Sequence, residues 1–435
     1  MKKTTLFILS IGTILISCQN KTMEKTPYAW PTAVNAPVAI EKPRTFVQHG
    51  DTIIDEYYWM NDYFKKGPDS SAVVAYLKQE NAYLDTMMAG TQIFQESLFK
   101  EMRGRIQEKD EAEPVIENGY TYYTKTEEGK QYYKYYRKAL TAGAKEELLL
   151  DVDKMAEGKG YYSVSGLAIS PDNEWLAYGV DELSRRQYTL CFKNLKTGQN
   201  LSETIAGTSG AAVWSADSKH VFYASNNPVT LLSEKIKRHQ LNTPATSDVA
   251  VYEEKDPSNY IGVSKTRSGK YILITSAATL SSEVRFLSSD NPAGTFSVFQ
   301  PRLKEVLYSV DHWEDQFLIV TNWNAKNFQL MSCPLTQTTA TTWKEIIPNR
   351  SDVLLEGVDP FSDFWVITER KEGLIQMRIR DMKNGQEHYL DFGEPTYDAY
   401  VGRNPEFTSN LFRYRYSSMT TPTSTFDYEW KNKKR

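Results

Sequence analysis

The sequence contains few of the residues that build disulfide frameworks, metal sites and catalytic dyads. It has three cysteines and five histidines in 435 residues. Cys191 and Cys333 stand in separate strand-like runs, which indicates buried apolar residues rather than a disulfide framework. The histidines follow no spacing typical of a metal site or of the base of a catalytic triad: His49, His220, His239, His312 and His388. We therefore predict no catalytic residue, no cofactor-binding residue and no metal ligand in this chain.

Patterns that bind phosphate or nucleic acid are also missing. Neither Gly-x-x-x-x-Gly-Lys nor Gly-x-Gly-x-x-Gly occurs, so the sequence offers no recognisable nucleotide-binding loop. The formal net charge is −4, whereas binding to a phosphate backbone needs a basic surface. Nucleic acid is therefore excluded as the main partner.

The first 18 residues have the organisation of a lipoprotein signal peptide. Two lysines precede an apolar run from Thr4 to Ile16, which is too short to be a good membrane span. The run ends in the quartet Leu-Ile-Ser-Cys at Cys18, which resembles the bacterial lipobox. We predict a signal peptide over 1–18, lipidation of Cys18 and a polar tether over 19–27, with the body of the protein in the cell envelope and only its lipid in a membrane. An ordinary signal peptide with a chance cysteine is the alternative.

A turn followed by a short strand recurs along the chain. Ser170-Pro-Asp-Asn-Glu-Trp-Leu-Ala-Tyr178 and Trp214-Ser-Ala-Asp-Ser-Lys-His-Val-Phe-Tyr223 are two copies, in which Pro, Asp and Asn favour the turn and the aromatic residues favour the strand. Seven copies contribute one strand residue each: Tyr122, Trp175, His220, Tyr271, Phe317, Phe364 and Phe412. Their spacing of 45 to 53 residues predicts an all-β, seven-bladed β-propeller over 114–435. An irregular pair of β-sandwiches with evenly spaced turns is the alternative.

The last repeat is expected to be incomplete. It supplies three strand-like runs, 397–401, 411–416 and 423–430. A fourth strand would need residues beyond Lys431, and the final run Lys431-Asn-Lys-Lys-Arg435 is too polar and too short to supply it. The last blade would then present an unpaired edge.

The segment 28–113 does not resemble the repeats. Prolines at 31, 37 and 43 exclude a helix through Arg44. Asp69-Ser70-Ser71 is a capping sequence for a helix to Ala89 with Gly90 after it, and a second helix is predicted from Thr91 to Gly104. The charged run Glu108-Lys-Asp-Glu-Ala-Glu113 is interpreted as a solvated linker. Two amphipathic helices cannot form a core alone, so we expect them to pack on another domain.

Short sequence blocks distributed along the chain resemble the prolyl oligopeptidase family, and within it oligopeptidase B (protease II). The resemblance runs from about Pro37 to Tyr428 and keeps the family's order. It rests on these blocks: Arg44, His49-Gly-Asp51, Asp55-x-Tyr57-x-Trp59-Met60-x-Asp62, Tyr76-Leu77-x-x-Glu80-Asn81-x-Tyr83, Val251–Asp256, Lys265–Arg267, Phe299–Pro301, Ser309–His312, Gly393–Thr396 and Tyr416–Pro422.

The resemblance implies a two-part serine peptidase. In that family a seven-bladed propeller covers an α/β-hydrolase domain and restricts access to short peptides, the N-terminal helices pack on the hydrolase domain, and Ser, Asp and His follow the propeller. Oligopeptidase B cleaves after Arg or Lys. This chain stops at Arg435, where the hydrolase domain is expected to begin, and contains no Gly-x-Ser-x-Gly nucleophile elbow. The runs Gly207–Ala211 and Gly262–Thr266 each lack the final glycine, and the first is interpreted as a turn-rich link between repeats.

Two functional hypotheses remain from the sequence. In the first, the chain is the propeller portion of an oligopeptidase B-like peptidase, truncated before its catalytic domain and inactive alone, with short peptides and a hydrolase half as partners. In the second, it is a free-standing, lipid-anchored propeller that binds peptides or a partner protein. An enzyme with a site in the propeller channel has little support, because no converging carboxylates or metal ligands can be assigned.

Overall fold

A computed structural model describes residues 28–435. The chain forms two compact units, and the boundary between them lies between Gln107 and Glu108. The predicted signal peptide, Cys18 and the tether lie outside the described residues. None of the described helices has the length and apolar character needed to cross a membrane.

Among its described residues, 28–107, the first unit contains a β-hairpin and three α-helices. Its regular elements are β1 (Arg44–Gln48), β2 (Asp51–Asp55), α1 (Asp62–Lys65), α2 (Ser70–Met88) and α3 (Gln92–Gly104). The two longer helices begin and end within a few residues of the predicted positions, so both predictions are confirmed. Only a small core forms here, around Trp59 and Val73, which are 7% and 4% exposed, and the Trp59 indole nitrogen donates to the Ile40 carbonyl oxygen at 2.8 Å.

The second unit, Glu108–Arg435, is a β-propeller of six antiparallel sheets among the described residues. The first sheet contains β3 (Asp110–Glu111), β4 (Val115–Glu117), β5 (Tyr120–Thr126), β6 (Lys134–Ala139) and β7 (Glu146–Asp151), and the short helix α4 (Val152–Met155) follows it. The second contains β8 (Ser163–Ile169), β9 (Trp175–Asp181), β10 (Tyr188–Asn194), β11 (Asn200–Trp214), β12 (His220–Asn226), β13 (Ser233–Gln240) and β14 (Val249–Glu253). The presence of β3 corrects the interpretation of 108–113 as a linker, because Asp110 and Glu111 pair with Thr126 and Lys125.

The other four sheets follow in chain order. The third contains β15 (Tyr260–Lys265), β16 (Tyr271–Ala277), β17 (Ser282–Ser288) and β18 (Ser297–Gln300). The fourth contains β19 (Tyr308–Trp313), β20 (Gln316–Thr321), β21 (Gln329–Pro334) and β22 (Lys344–Ile347). The fifth contains β23 (Val353–Pro360), β24 (Phe364–Lys371), β25 (Leu374–Asp381) and β26 (Glu387–Tyr389). The sixth contains β27 (Asp398–Val401), β28 (Leu411–Ser417) and β29 (Ser424–Glu429), the three strands predicted for the last repeat.

The prediction of seven separate blades is wrong. The seven repeat residues do fall on strands, but the structure has five sheets of four or more strands and one of three. The difference arises at β11, a 15-residue strand that pairs with β10 and then with β12, so that two repeats share one seven-stranded sheet. Gly207 and Gly210 have φ of 68° and 89°, a conformation that glycine adopts without strain. They bend β11 within the sheet, where the sequence indicated a turn-rich link.

The recurring turn has the predicted chemistry. The Asp172 carboxylate accepts from the Ser170 hydroxyl and from the Glu174 backbone N–H at 3.0 Å. One repeat later, Asp217 accepts in the same way from Ser215 and, at 2.8 Å, from the Lys219 N–H. Each turn therefore closes on its own side chains before the next strand begins.

Successive sheets pack through apolar side chains. Buried clusters lie between the first and second, second and third, third and fourth, fourth and fifth, and fifth and sixth sheets, and another lies inside the second. Between the sixth and first sheets, the described residues make polar contacts. The Asn118 N–H donates to Glu406, and Arg403 pairs with Glu117 at 2.7 Å. The ring thus closes, but through a junction unlike the other interfaces.

Candidate functional site

The junction between the sixth and first sheets contains the candidate site. It holds two neighbouring cavities of about 560 Å³ and 260 Å³. The larger is lined mainly by Pro114–Ile116 and by 403–411. Val115, Arg403 and Arg413 line both cavities, so the two adjoin along the junction. Clefts of this size accept small ligands.

Strand β28 positions two arginines in this region. Side chains alternate along a strand, so Arg413 and Arg415 lie on the face opposite Phe412, Tyr414 and Tyr416. The three aromatic residues belong to the cluster shared with the fifth sheet, and both arginines line the smaller cavity. The alternation Phe-Arg-Tyr-Arg-Tyr was the sequence signal for this arrangement, but its polar partners come from the first repeat, far away in sequence.

Two of the three arginines in the smaller cavity are held by carboxylates. Arg413 makes two parallel 2.7 Å hydrogen bonds to Asp427 and donates to the Pro114 carbonyl oxygen at 2.8 Å. The hydrogen bond to Asp427 raises the pKa of the Arg413 guanidinium. Arg403 donates to Glu117 at 2.7 Å. The double contact fixes the Arg413 guanidinium, because a planar fork and a carboxylate match in geometry, whereas Arg403 makes a single and more exposed contact.

Tyrosines complete the smaller cavity. Tyr122 is 9% exposed, and its hydroxyl has no hydrogen-bond partner among the described residues. Burial raises the Tyr122 pKa to about 12, and the nearby Arg137 acts in the opposite direction. Tyr123 and Tyr136 stack with ring centres 5.9 Å apart, and the Tyr123 hydroxyl donates to Glu146. The cavity therefore contains neutral hydroxyl groups and fixed cations at neutral pH.

None of the five histidines lines the two cavities of the candidate site. His239 is fully buried, with its Nδ1 2.7 Å from Asp248 and its Nε2 3.5 Å from Glu203, and its ring stacks on Phe192. The Tyr223 hydroxyl donates to the same Asp248 at 2.7 Å. This buried network was missed from the sequence because its members lie on different strands. It contains no serine or cysteine that could act as a nucleophile, and its contacts are those of a hydrogen-bonded core.

Three of the remaining histidines make local or inter-sheet contacts, and His49 lies exposed in the turn between β1 and β2. His312, next to the acidic Asp311, has Nδ1 2.9 Å from the Ser268 hydroxyl instead of a carboxylate, and burial lowers its pKa. His220 contacts Asp217 in its turn, and His388 contacts the Tyr428 hydroxyl at 2.8 Å. Within residues 28–435, three or more His, Cys, Asp or Glu side chains nowhere converge in a group able to hold a metal ion.

The serine-containing runs and the two cysteines considered from the sequence lie in regular structure. Gly207–Ala211 falls in β11 and Gly262–Thr266 falls mostly in β15, so both runs are parts of sheets. Cys333 is 2% exposed, and burial raises its pKa to about 12. Cys191 is half-buried, and its pKa is also raised by burial. A thiol with a raised pKa is a poor nucleophile.

A second polar cluster ties together the turns of several sheets. The Arg267 guanidinium contacts Asp359 and the Asn404 carbonyl oxygen, and lies 4.8 Å from the centre of the Phe361 ring. Its backbone N–H donates to Asp311 at 2.9 Å. Burial raises the pKa of Asp311 to about 6. Arg267 thereby connects the third sheet with the next three.

Comparison with known proteins gives related peptidases. Dipeptidyl aminopeptidase BI of Pseudoxanthomonas mexicana is 36% identical over the whole chain, which corresponds to 61% of that protein. Protease 2 of Moraxella lacunata is 31% identical over 90% of this chain and 56% of its own length. The structure of oligopeptidase B from Leishmania major has a TM-score of 0.83 and 26% identity, over 92% of this chain and 59% of that one. The chain therefore spans less than two thirds of each relative.

The family assignment follows from a match over most of the chain. The family described as prolyl oligopeptidase, N-terminal beta-propeller domain, matches residues 37–435. This range includes the helices of the first unit and all six sheets of the propeller. The chain belongs to the prolyl oligopeptidase family and carries its N-terminal β-propeller domain.

Proposed function

We propose that this chain is the propeller portion of an oligopeptidase B-like serine peptidase that cleaves short peptides after Arg or Lys. The hydrolase half supplies the catalytic Ser, Asp and His, and the propeller limits access to short peptides. The chain alone is inactive in peptide hydrolysis. The similarity to protease 2 and to oligopeptidase B supports this function.

The observation that carries the proposal is the apolar surface of α3. Phe94, Leu98 and Met102, spaced four residues apart, share one face of this helix, and their exposed fractions are 67%, 41% and 59%. Exposed apolar surface of this kind is typical of a protein-binding face. A hydrolase domain that covers it would bury these side chains.

The proposal is tested by joining this chain at Arg435 to the hydrolase part of protease 2 of Moraxella lacunata. We expect the chimera to hydrolyse a fluorogenic peptide with Arg before the cleaved bond, and to be blocked by a serine-directed inhibitor. The chain without the hydrolase part should show no hydrolysis. A folded chimera that cleaves no Arg- or Lys-containing peptide would overturn the proposal.

A pair of variants tests the α3 face itself. Phe94→Asp with Leu98→Asp places charges on the apolar face and should lower the chimera's activity by at least about tenfold, since a buried charge is costly. Lys100→Asp places the same residue on the opposite face and should leave activity unchanged. Equal effects would show that α3 does not pack on the hydrolase half.

The N-terminal assignments belong to the same proposal. Export and lipidation at Cys18 are supported by the lipobox-like quartet that ends there. We expect the protein to incorporate radiolabelled palmitate in a bacterial host and to sediment with membranes. Cys18→Ser should remove the label and release the protein, and an unchanged membrane fraction would contradict lipid anchoring.

A further inference from the structure

We propose that the smaller cavity at the junction of the sixth and first sheets binds the C-terminal carboxylate of a short peptide, whose preceding residues occupy the larger cavity. The inference rests on the proposed function, because the ligand it names is a peptide. It adds a binding site within the propeller, separate from the residues that cleave the substrate.

The first argument is the charge of the cavity. Arg403 is paired with Glu117 and Arg413 with Asp427, so Arg415 is the one arginine of the cavity lining without a carboxylate partner among the described residues. The Arg415 side chain is exposed and makes no ion pair or side-chain hydrogen bond with any residue in the described part of the chain. One unmatched guanidinium suits a single carboxylate better than a doubly charged phosphate.

The second argument is the hydroxyl group of Tyr122, which lies near the Arg137 guanidinium but makes no hydrogen bond of standard geometry with a described residue. A buried polar group without a partner is unfavourable, and Tyr122 is more than nine-tenths buried. It lines the same cavity as Arg415. A carboxylate has two oxygens and about four acceptor positions, so it can accept from the guanidinium and the hydroxyl together.

The third argument is the remaining lining, which suits a peptide. Leu149, Leu167 and Ile169 give the smaller cavity an apolar wall. The larger cavity has a volume of about 560 Å³ and begins at the arginines shared with the smaller one. A peptide lying across both would have its carboxylate at Arg415 and its body among residues 403–411. Recognition of a terminal carboxylate by fixed donors is a recurring mode of peptide binding.

The test measures binding by isothermal titration calorimetry with the chain alone. The probes are tetra-alanine with a free carboxylate, tetra-alanine amide and inorganic phosphate. We expect the free acid to bind at least about tenfold more tightly than the amide and than phosphate, as loss of a charge-assisted contact implies. Equal binding of acid and amide, tighter binding of phosphate, or no binding of the acid would each overturn the inference.

Single-residue variants test where the acid binds, and they are chosen so that the apolar core of the propeller stays intact. Arg415→Leu should weaken binding of the free acid about tenfold and leave the weak binding of the amide unchanged. Arg415→Lys keeps the positive charge and should weaken binding of the acid less. Tyr122→Phe removes only the unpaired hydroxyl, so it should weaken acid binding with no loss of stability. Arg185→Leu, at an exposed arginine outside the cavity, is the matched control. Equal weakening by Arg185→Leu would refute the assignment.

The two proposals can fail separately. Binding is measured without a hydrolase half, and hydrolysis by the chimera is measured without these variants. An active chimera with no discrimination between acid and amide would remove the carboxylate site and keep the peptidase function. If the chain distinguishes the acid from the amide but the chimera is inactive, the carboxylate site is kept and the peptidase function is removed.

Discussion

The fifth and sixth sheets pack through a dense aromatic core, whereas the sixth and first sheets meet through ion pairs around cavities. In the first interface Trp430 stacks on Phe364 with ring centres 5.0 Å apart, and Phe361 meets Phe412 edge-on at 6.3 Å. In the second, Arg403 pairs with Glu117 while 61% and 31% of their side chains remain exposed. The comparison indicates that apolar packing stabilises the propeller, while the junction that closes the ring leaves space for a ligand.

The largest expected effect is at the packed interface. Phe364→Ala removes a fully buried ring and should lower the free energy of unfolding by about 3–5 kcal/mol. Leu411→Ala, at a residue of the junction that is 40% exposed, should cost less than about 1 kcal/mol. Urea unfolding followed by tryptophan fluorescence measures both, and similar losses would mean that the two interfaces do not differ as described.

The next effect depends on pH and concerns the buried acid Asp311. Its folded-state pKa of about 6 lies above its ordinary value of 3.8, chiefly because of burial. The group therefore binds its proton more tightly when folded, and its contribution to stability is full below about pH 4 and lost as the pH rises through 6. Asp311→Asn should remove about 2–3 kcal/mol of this pH dependence.

Urea unfolding between pH 4 and 7 measures that difference, and Asp217→Asn is the control. Burial acts to raise the Asp217 pKa, but hydrogen bonds from Ser215, Lys219 and His220 outweigh it and hold the pKa at about 2. Its contribution is lost only as the pH falls below about 4. If the free energy of unfolding depends on pH in the same way in the wild-type protein and in the Asp311→Asn variant, Asp311 does not titrate in this range.

A smaller effect is expected from the cluster at Arg267. Arg267→Met keeps much of the side chain's volume but leaves Asp359 and the Asn404 carbonyl oxygen without their cation. We expect a loss of about 1–2 kcal/mol, as for a charged hydrogen bond in a partly buried place. Thermal unfolding in low and high salt would test this, and an unchanged midpoint would show that the sheets are held without this contact.

The smallest effect is expected at the junction itself. Arg403→Gln removes an exposed ion pair, which contributes about 0–1 kcal/mol in general. The free energy of unfolding should therefore change by less than about 1 kcal/mol. A loss comparable to that of Phe364→Ala would show that ring closure depends on Arg403.

The local structure could be predicted from the sequence because it depends on local chemistry. The turns at Asp172 and Asp217, the helices at 70–88 and 92–104, and the three strands of the last sheet follow from capping, turn residues and alternation. The sequence repeat itself is visible because each copy must form the same turn before its strand. The family resemblance is confirmed by the match over residues 37–435.

The features that could not be predicted depend on contacts between distant residues. Gly207 and Gly210 indicate a turn locally, yet here they bend a continuous strand, since β10 and β12 supply partners on both sides. The candidate site combines Tyr122 and Glu117 with Arg403 and Arg415, nearly three hundred residues apart. No local pattern relates such residues, so neither the merged sheet nor the polar junction was predicted.

The shared strand β11 has a consequence for local opening. Its amide groups are bonded to β10 in its first half and to β12 in its second. Separation of one repeat from its neighbour therefore cannot occur by a simple hinge at a loop, and the two must exchange their amide hydrogens as one cooperative unit. In hydrogen–deuterium exchange, residues 163–253 should become labelled together, while the other repeats open individually.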